Sequence, residues 1–161
     1  LLKITPKEIQ SAIYNFKLTK HRLERIELSN NITLIDDTYN ANKDSMINAL
    51  SILSKVKNKR RVAILGDILE LGNYSKEIHK EIGNTITKDT LDILITVGND
   101  SNYIKNMAIK NGLSKNSIYS YNDYHEASLH INNIIKENDI ILLKASHGIH
   151  LEKIVDFLLK K

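Results

Sequence analysis

The order of hydrophobic patterns predicts an α/β domain of three layers, a mostly parallel sheet with helices on both faces. Apolar runs rich in β-branched residues recur along the 161 residues, segments of helical period lie between them, and the central runs "VAIL" and "ILITV" are apolar without alternation. Strands that alternate with helices call for parallel pairing through crossovers. A strand buried on both faces has no polar side to show.

The elements follow in chain order. Thr5, Pro6 and Glu8 have the spacing of an N-cap, a first helical position and the closing residue of a capping box, which predicts a helix over 5–16 within a lead-in of residues 1–20. "NITLID" (31–36) is the first predicted strand. The helix over 44–56 places Met46, Ala49, Leu50, Leu53 and Val56 on one face. "RVAILGD" (61–67) is a strand, and 75–87 a helix with Ile78, Ile82 and Ile86 inward. "LDILITVG" (91–98) precedes a helix over 101–110 built on Ile104, Met107 and Ala108. "SIYSY" (117–121) is shorter and more polar, so it belongs nearer a sheet edge. A helix over 123–136 carries Ala127, Ile131, Ile134 and Ile135, "DIILLKA" (139–145) is the last strand, and Leu151, Ile154, Val155, Leu158 and Leu159 mark the last helix. With no repeat and no low-complexity linker, residues 1–161 read as one domain.

Composition narrows the function classes. Hydrophobic residues make up 42% and charged residues 26%, the balance of a globular protein. No apolar run approaches the roughly 20 residues that span a bilayer, and no signal peptide opens the chain, so no membrane partner is expected. The first residue is Leu rather than Met, which suggests a chain that begins inside a longer one. The lack of cysteine removes disulfides, thiolate catalysis and Cys-based zinc sites, and suits a reducing cytoplasm. The formal charge of +4 is spread over lysines interleaved with acids. Such a surface is a solvated one rather than a nucleic-acid stripe, and its modest field suits a phosphate-bearing small molecule.

In open α/β sheets, ligands bind beyond the carboxyl ends of the strands. That rule gathers Asp36 and Asp37, Gly66 and Asp67, Gly98 to Asp100, and Lys144 with Ser146, His147 and Gly148 on one rim. At the first junction, "LIDDTYNANKDSM" (34–46), Asn42 fits a helix N-cap and Asp44 favours the helix dipole. Capping does not account for Asp36, Asp37, Tyr39 and Asn40 together. A carboxylate there can accept from a sugar diol, and neighbouring side chains point to opposite faces, so one aspartate can be structural while the other reaches the rim. In "GDILELG" (66–72), Gly66 permits a close backbone approach, Asp67 suits a turn cap or a ligand amine, and Glu70 and Gly72 read as turn residues. In "LLKASHGIHLEKI" (142–154), a Lys, a Ser and a His precede a helix, a place that attracts anions, although Ser146 can equally cap the helix. Neither G-x-G-x-x-G nor G-x-x-x-x-G-K-[ST] occurs, and the histidines form no spacing set for a metal.

Four segments, "HRLE" (21–24), "LIDDTYNANKDSM" (34–46), "AILGDILELG" (63–72) with "SKEIHKEIG" (75–83), and "LLKASHGIHLEKIV" (142–155), together resemble the C-terminal domain of the Mur ligases. "DDTYNAN" points to the branch that adds a dipeptide rather than to folylpolyglutamate or cyanophycin synthetases, and a stand-alone Rossmann-like binding module is the alternative outside the enzymes. The resemblance implies a Rossmann-like domain of a bacterial, cytoplasmic ligase of peptidoglycan precursor synthesis. An N-terminal UDP-sugar domain and a central ATPase domain, absent from this chain, would be its partners, and ATP with Mg2+ would be bound mainly by the central one. The reaction implied is ATP-dependent addition of D-Ala-D-Ala to UDP-MurNAc-tripeptide through an acyl phosphate, with the isolated domain inactive. By motif, Arg22 would reach the ATP phosphates, and Asp37 would hold the ribose. Tyr39, Asn40 and Asn42 would lie between nucleotide and incoming amine, with Asn42 also serving the acceptor. Asp67, Lys144, Ser146 and His147 would bind that acceptor, Lys144 as counter-charge to its carboxylate. Lys43 departs from the family's usual proline, and Ala145 and His147 from its usual glycine and arginine.

Overall fold

The computed structural model describes residues 4–15 and 19–160. Helix α1 (Pro6–Tyr14) begins as its start signal requires, with Thr5 and Glu8 in a reciprocal capping box, and buries none of its residues. Residue 16 of the expected first helix and part of the expected lead-in lie outside the described residues.

The sheet has six strands: β1 (Glu24–Glu27), β2 (Thr33–Asp37), β3 (Arg60–Gly66), β4 (Ile93–Val97), β5 (Ile118–Tyr121) and β6 (Asp139–Lys144). Their spatial order is β1-β2-β6-β3-β4-β5. All neighbours are parallel except β1, which runs antiparallel to β2 at one edge. "SIYSY" forms the opposite edge, as its polarity predicts. The last strand returns to the middle of the sheet, between β2 and β3, so the carboxyl ends of β2, β6 and β3 meet at one place.

Helices α2 (Lys43–Ser54), α3 (Ser75–Asn84) and α4 (Ser101–Lys110) cover one face, and α5 (Tyr124–Ile134) and α6 (Glu152–Leu159) the other. The unalternating strands explain themselves here. Ala63 and Leu65 of β3 enter the core under α2 to α4, while Val62 and Ile64 enter the core under α5 and α6. The two cores contain most of the apolar positions that helical spacing selects, including Met46, Leu53, Ile82, Ile104, Ala127, Ile131, Ile154 and Leu158.

Candidate functional site

The turn before β1 docks onto the end of β2 through a dense set of hydrogen bonds. The ring Nδ1 of His21 donates to Asp36 Oδ2 at 2.7 Å, and the His21 backbone N–H donates to Glu24 Oε2 at 3.1 Å. Leu23 N–H reaches Asp37 Oδ1 at 3.2 Å, and Tyr39 N–H reaches the His21 carbonyl at 3.0 Å. His21 and Leu23 both adopt left-handed backbone, with φ of 63° and 50°. Between them Arg22 is thrust outward, its guanidinium carbon 3.9 Å from the centre of the Tyr39 ring. A cation over an aromatic face in this way keeps its N–H groups free at the edges.

His21, Glu24 and Asp36 bring one ligand atom each within 4.8 Å of the others, a grouping that sequence spacing conceals. Asp36 is buried. Its Oδ2 accepts from His21, and its Oδ1 accepts from the N–H and hydroxyl of Thr38 at 3.1 and 2.7 Å. The group is a hydrogen-bonded support for Arg22, and Asp36 is the structural member of the aspartate pair.

Asp37 is also largely buried, and Lys144 is its partner. The Lys144 ammonium donates to Asp37 Oδ2 at 2.5 Å and to the Asn40 carbonyl at 3.0 Å. Lys144, expected as counter-charge to an acceptor carboxylate, is 2% exposed and paired with Asp37. Asp67, also expected at the acceptor, is engaged by backbone N–H groups. Its two oxygens accept from Asn99 N–H at 3.0 Å and Ser101 N–H at 2.6 Å, and it lines neither of the cavities described below. It ties the ends of β3 and β4 together instead. Gly98 makes room for it, since its φ is 115° and a Cβ there would lie 2.5 Å from the Asp67 carboxylate.

Asn42 caps α2, its Oδ1 accepting from Ser45 N–H at 2.8 Å. Lys43, which replaces a helix-starting proline, forms an ion pair with Glu81 of α3 at 2.9 Å. Ser146 does not cap a helix; its hydroxyl accepts from Leu69 N–H at 3.0 Å, joining the loop after β6 to the loop after β3. His147 is exposed beside it, with its ring centre 6.5 Å from that of Tyr39.

Two cavities lie along this rim. The larger, about 460 Å³, is lined among others by Arg22, Asp37, Asn42, Asn48 and Lys144. The smaller, about 410 Å³, is lined by Leu69, Glu70, Ser146, His147 and Gly148. Tyr39, Asn40 and Ala41 line both, so one three-residue turn is the wall between them. The arrangement offers a planar cation and buried polar groups on one side of that wall. On the other it offers a hydroxyl, an imidazole and a carboxylate. Glu70 is the functional candidate that sequence reading passed over, because a Glu two residues before a Gly reads as turn chemistry.

Comparison with known proteins gives a consistent result. Residues 21–147 match a family model described as Mur ligase, glutamate ligase domain. The chain is 31% identical over 158 residues to the UDP-N-acetylmuramoyl-tripeptide–D-alanyl-D-alanine ligase of Bacillus subtilis (strain 168), covering 98% of this chain and 34% of that protein. It is 33% identical over 165 residues to the ligase of the same name from Buchnera aphidicola subsp. Acyrthosiphon pisum, covering 99% and 34%. Among solved structures, a crystal structure of MurF from Acinetobacter baumannii matches with a TM-score of 0.85 at 27% identity, over 98% of this chain and 34% of that one. The chain thus spans about a third of the length of the curated relatives it matches.

Proposed function

The chain belongs to the Mur ligase family, and from that premise we propose that it is the C-terminal domain of a bacterial, cytoplasmic, ATP-dependent ligase that adds D-Ala-D-Ala to UDP-MurNAc-tripeptide. The observation that carries this reading is the shared wall. Nucleotide and acceptor must approach one reacting carboxylate from different sides, and Tyr39–Asn40–Ala41 separates two cavities of unlike chemistry at the carboxyl ends of the strands.

In the proposed reaction the γ-phosphoryl group of ATP passes to the terminal carboxylate of the tripeptide, giving an acyl phosphate and ADP. The dipeptide amine then attacks the acyl carbon, and phosphate leaves from the tetrahedral intermediate. This domain's part is positioning and charge stabilisation. Arg22, stacked on Tyr39, is placed to offer its N–H groups to phosphate oxygens. Asp37, held in orientation by Lys144, would accept from a ribose hydroxyl. The turn 39–41 sets the separation of nucleotide and acceptor, and Ser146 and His147 provide donors on the acceptor side. Mg2+ favours several oxygen ligands in an open octahedral site. The His21, Glu24 and Asp36 group suits it poorly, since one of its three ligands is an imidazole and both Asp36 oxygens already accept hydrogen bonds, and this reading assigns the metal mainly to the proposed central domain.

The test is ligation by the longer enzyme. Arg22→Ala and Asp37→Ala are expected to raise the KM for ATP or lower kcat, and His147→Ala to act mainly on the dipeptide. The isolated 161-residue chain is expected to release no phosphate from ATP with all substrates present. Turnover by that chain would place a complete ATPase site within it and overturn the assignment.

A further inference from the structure

Backbone strain is distributed unevenly around the sheet. Asn30, Asn31, Asn58 and Asn138, all left-handed with φ between 56° and 68°, sit at the amino ends of β2, β3 and β6. Asparagine tolerates that conformation well. Among the described residues, the left-handed positions that are neither Asn nor Gly are His21, Leu23, Glu70 and His150, and all four lie by the carboxyl ends. Unfavourable backbone held in place by its surroundings is a mark of functional rims.

Three of the four residues are held by a hydrogen bond of their own. His21 bonds Asp36, Leu23 N–H bonds Asp37, and the His150 ring lies 3.2 Å from Glu152. Glu70 differs. It is exposed at φ 64°, and among the described residues its carboxylate is in none of the ion pairs. The chain does place glycine in left-handed backbone two residues later, at Gly72. Meanwhile the segment leading to Glu70 is pinned. Ile68 N–H donates to Nε2 of the fully buried His79 at 3.0 Å, and Leu69 N–H donates to Ser146. His79 is itself oriented by its Nδ1–H, which donates to the Ser75 carbonyl at 2.7 Å. A carboxylate is thus held at the edge of the smaller cavity, and among the described residues it is the only carboxylate lining it.

We propose that Glu70 is a specificity-determining residue that binds the ammonium group of the acceptor dipeptide. Such a dipeptide is a zwitterion, so its site needs an acceptor set for one end and donors for the other. Ser146 and His147 serve the carboxylate, and Lys144 is paired with Asp37, so among the described residues Glu70 forms no ion pair with a cation. The proposal rests on the smaller cavity being the acceptor site, and the experiment separates the two ideas.

In the full-length ligase, Glu70→Gln is expected to raise the KM for D-Ala-D-Ala roughly ten- to a hundred-fold, the value of a charge-assisted hydrogen bond, with the KM for ATP unchanged. Glu70→Asp should recover part of the loss. Glu70→Gly should show the same KM defect together with a higher Tm, since glycine relaxes the left-handed turn. His147→Trp, which fills the cavity, should also raise the dipeptide KM. If His147→Trp does so while Glu70→Gln and Glu70→Gly leave it unchanged, Glu70 is a turn residue and the proposal fails with the acceptor site intact. If none of these variants changes it, the acceptor site itself is misplaced.

Discussion

Asp37 and Lys144 are partners across the β2–β6 register, and the ammonium of one lies 2.5 Å from a carboxylate oxygen of the other at the floor of the larger cavity. Both side chains are largely removed from water, 13% and 3% exposed. Removing one partner of such a pair strands the other's charge, at a cost of about 3–5 kcal/mol. Lys144→Met and Asp37→Leu are each expected to lower stability by that order in denaturant unfolding of this chain. The double variant should be much less damaged than the sum. Simple additivity would mean that the pair is not coupled.

Arg22 and Tyr39 make a separable prediction in the longer ligase. The stack holds a fork of donors whose planarity matters as much as its charge. Arg22→Lys is therefore expected to recover little of the kcat/KM lost in Arg22→Ala. Tyr39→Phe should be close to wild type and Tyr39→Leu weaker by about 0.5–1 kcal/mol, the value of an exposed cation–π contact. A wild-type rate in Arg22→Lys would show that only the charge is used.

How much of this the sequence disclosed depends on the range over which each interaction acts. Thr5–Glu8 and Asn42–Ser45 are local bonds, and the residue types at those spacings announce a helix start. The unalternating β3 and β4 announce burial on two faces. Strand β1 was invisible, because "ERIE" has a single apolar residue, Ile26, and becomes a strand only by pairing with β2. The site behaves the same way. Asp36 and Asp37 were legible as unusual, but their partners, His21 and Lys144, lie 15 and 107 positions away. Which aspartate was structural, and that Lys144 was already paired, followed only from the fold.

A pH prediction comes from the amino ends of β3 and β4, opposite the site. Arg61 donates to both oxygens of Asp92, from Nε and Nη2 at 3.0 Å each, and that hydrogen bonding holds the Asp92 carboxyl below its usual range. A carboxyl depressed in the folded state contributes stability above its unfolded value of about 3.9, and loses it as pH falls through the lower folded value. The stability difference between wild type and Asp92→Asn is therefore expected to be constant from neutral pH to about 5 and to shrink on further acidification. A difference that grows as pH falls would have the wrong sign for this linkage.

Gly66 and Ala145 supply the last prediction. They end β3 and follow β6, two strands that pair side by side, and the loops leaving them carry Glu70 on one side and Ser146 on the other. The backbones approach so closely that a Cβ on Gly66 would stand 2.7 Å from the Ala145 Cβ and 2.8 Å from Ile149 Cγ2. Neither neighbour can swing away, because Ala145 is buried and has no side-chain rotamers, and Ile149 is β-branched. Overpacking of this kind typically costs about 1–3 kcal/mol. Gly66→Ala is expected to lower stability by that order and to push the loops after β3 and β6 apart, weakening the bond from Leu69 N–H to Ser146 that borders the smaller cavity. Ala145→Gly in the same chain removes one of the two clashes and leaves the one with Ile149, so it should restore part of the loss and not all of it. Amide hydrogen exchange at Leu69, compared across the two single variants and the double, reads the loop directly. Faster exchange in Gly66→Ala that slows again in the double variant is the expected pattern; unchanged exchange throughout would mean that the strand ends absorb the methyl group without moving the site.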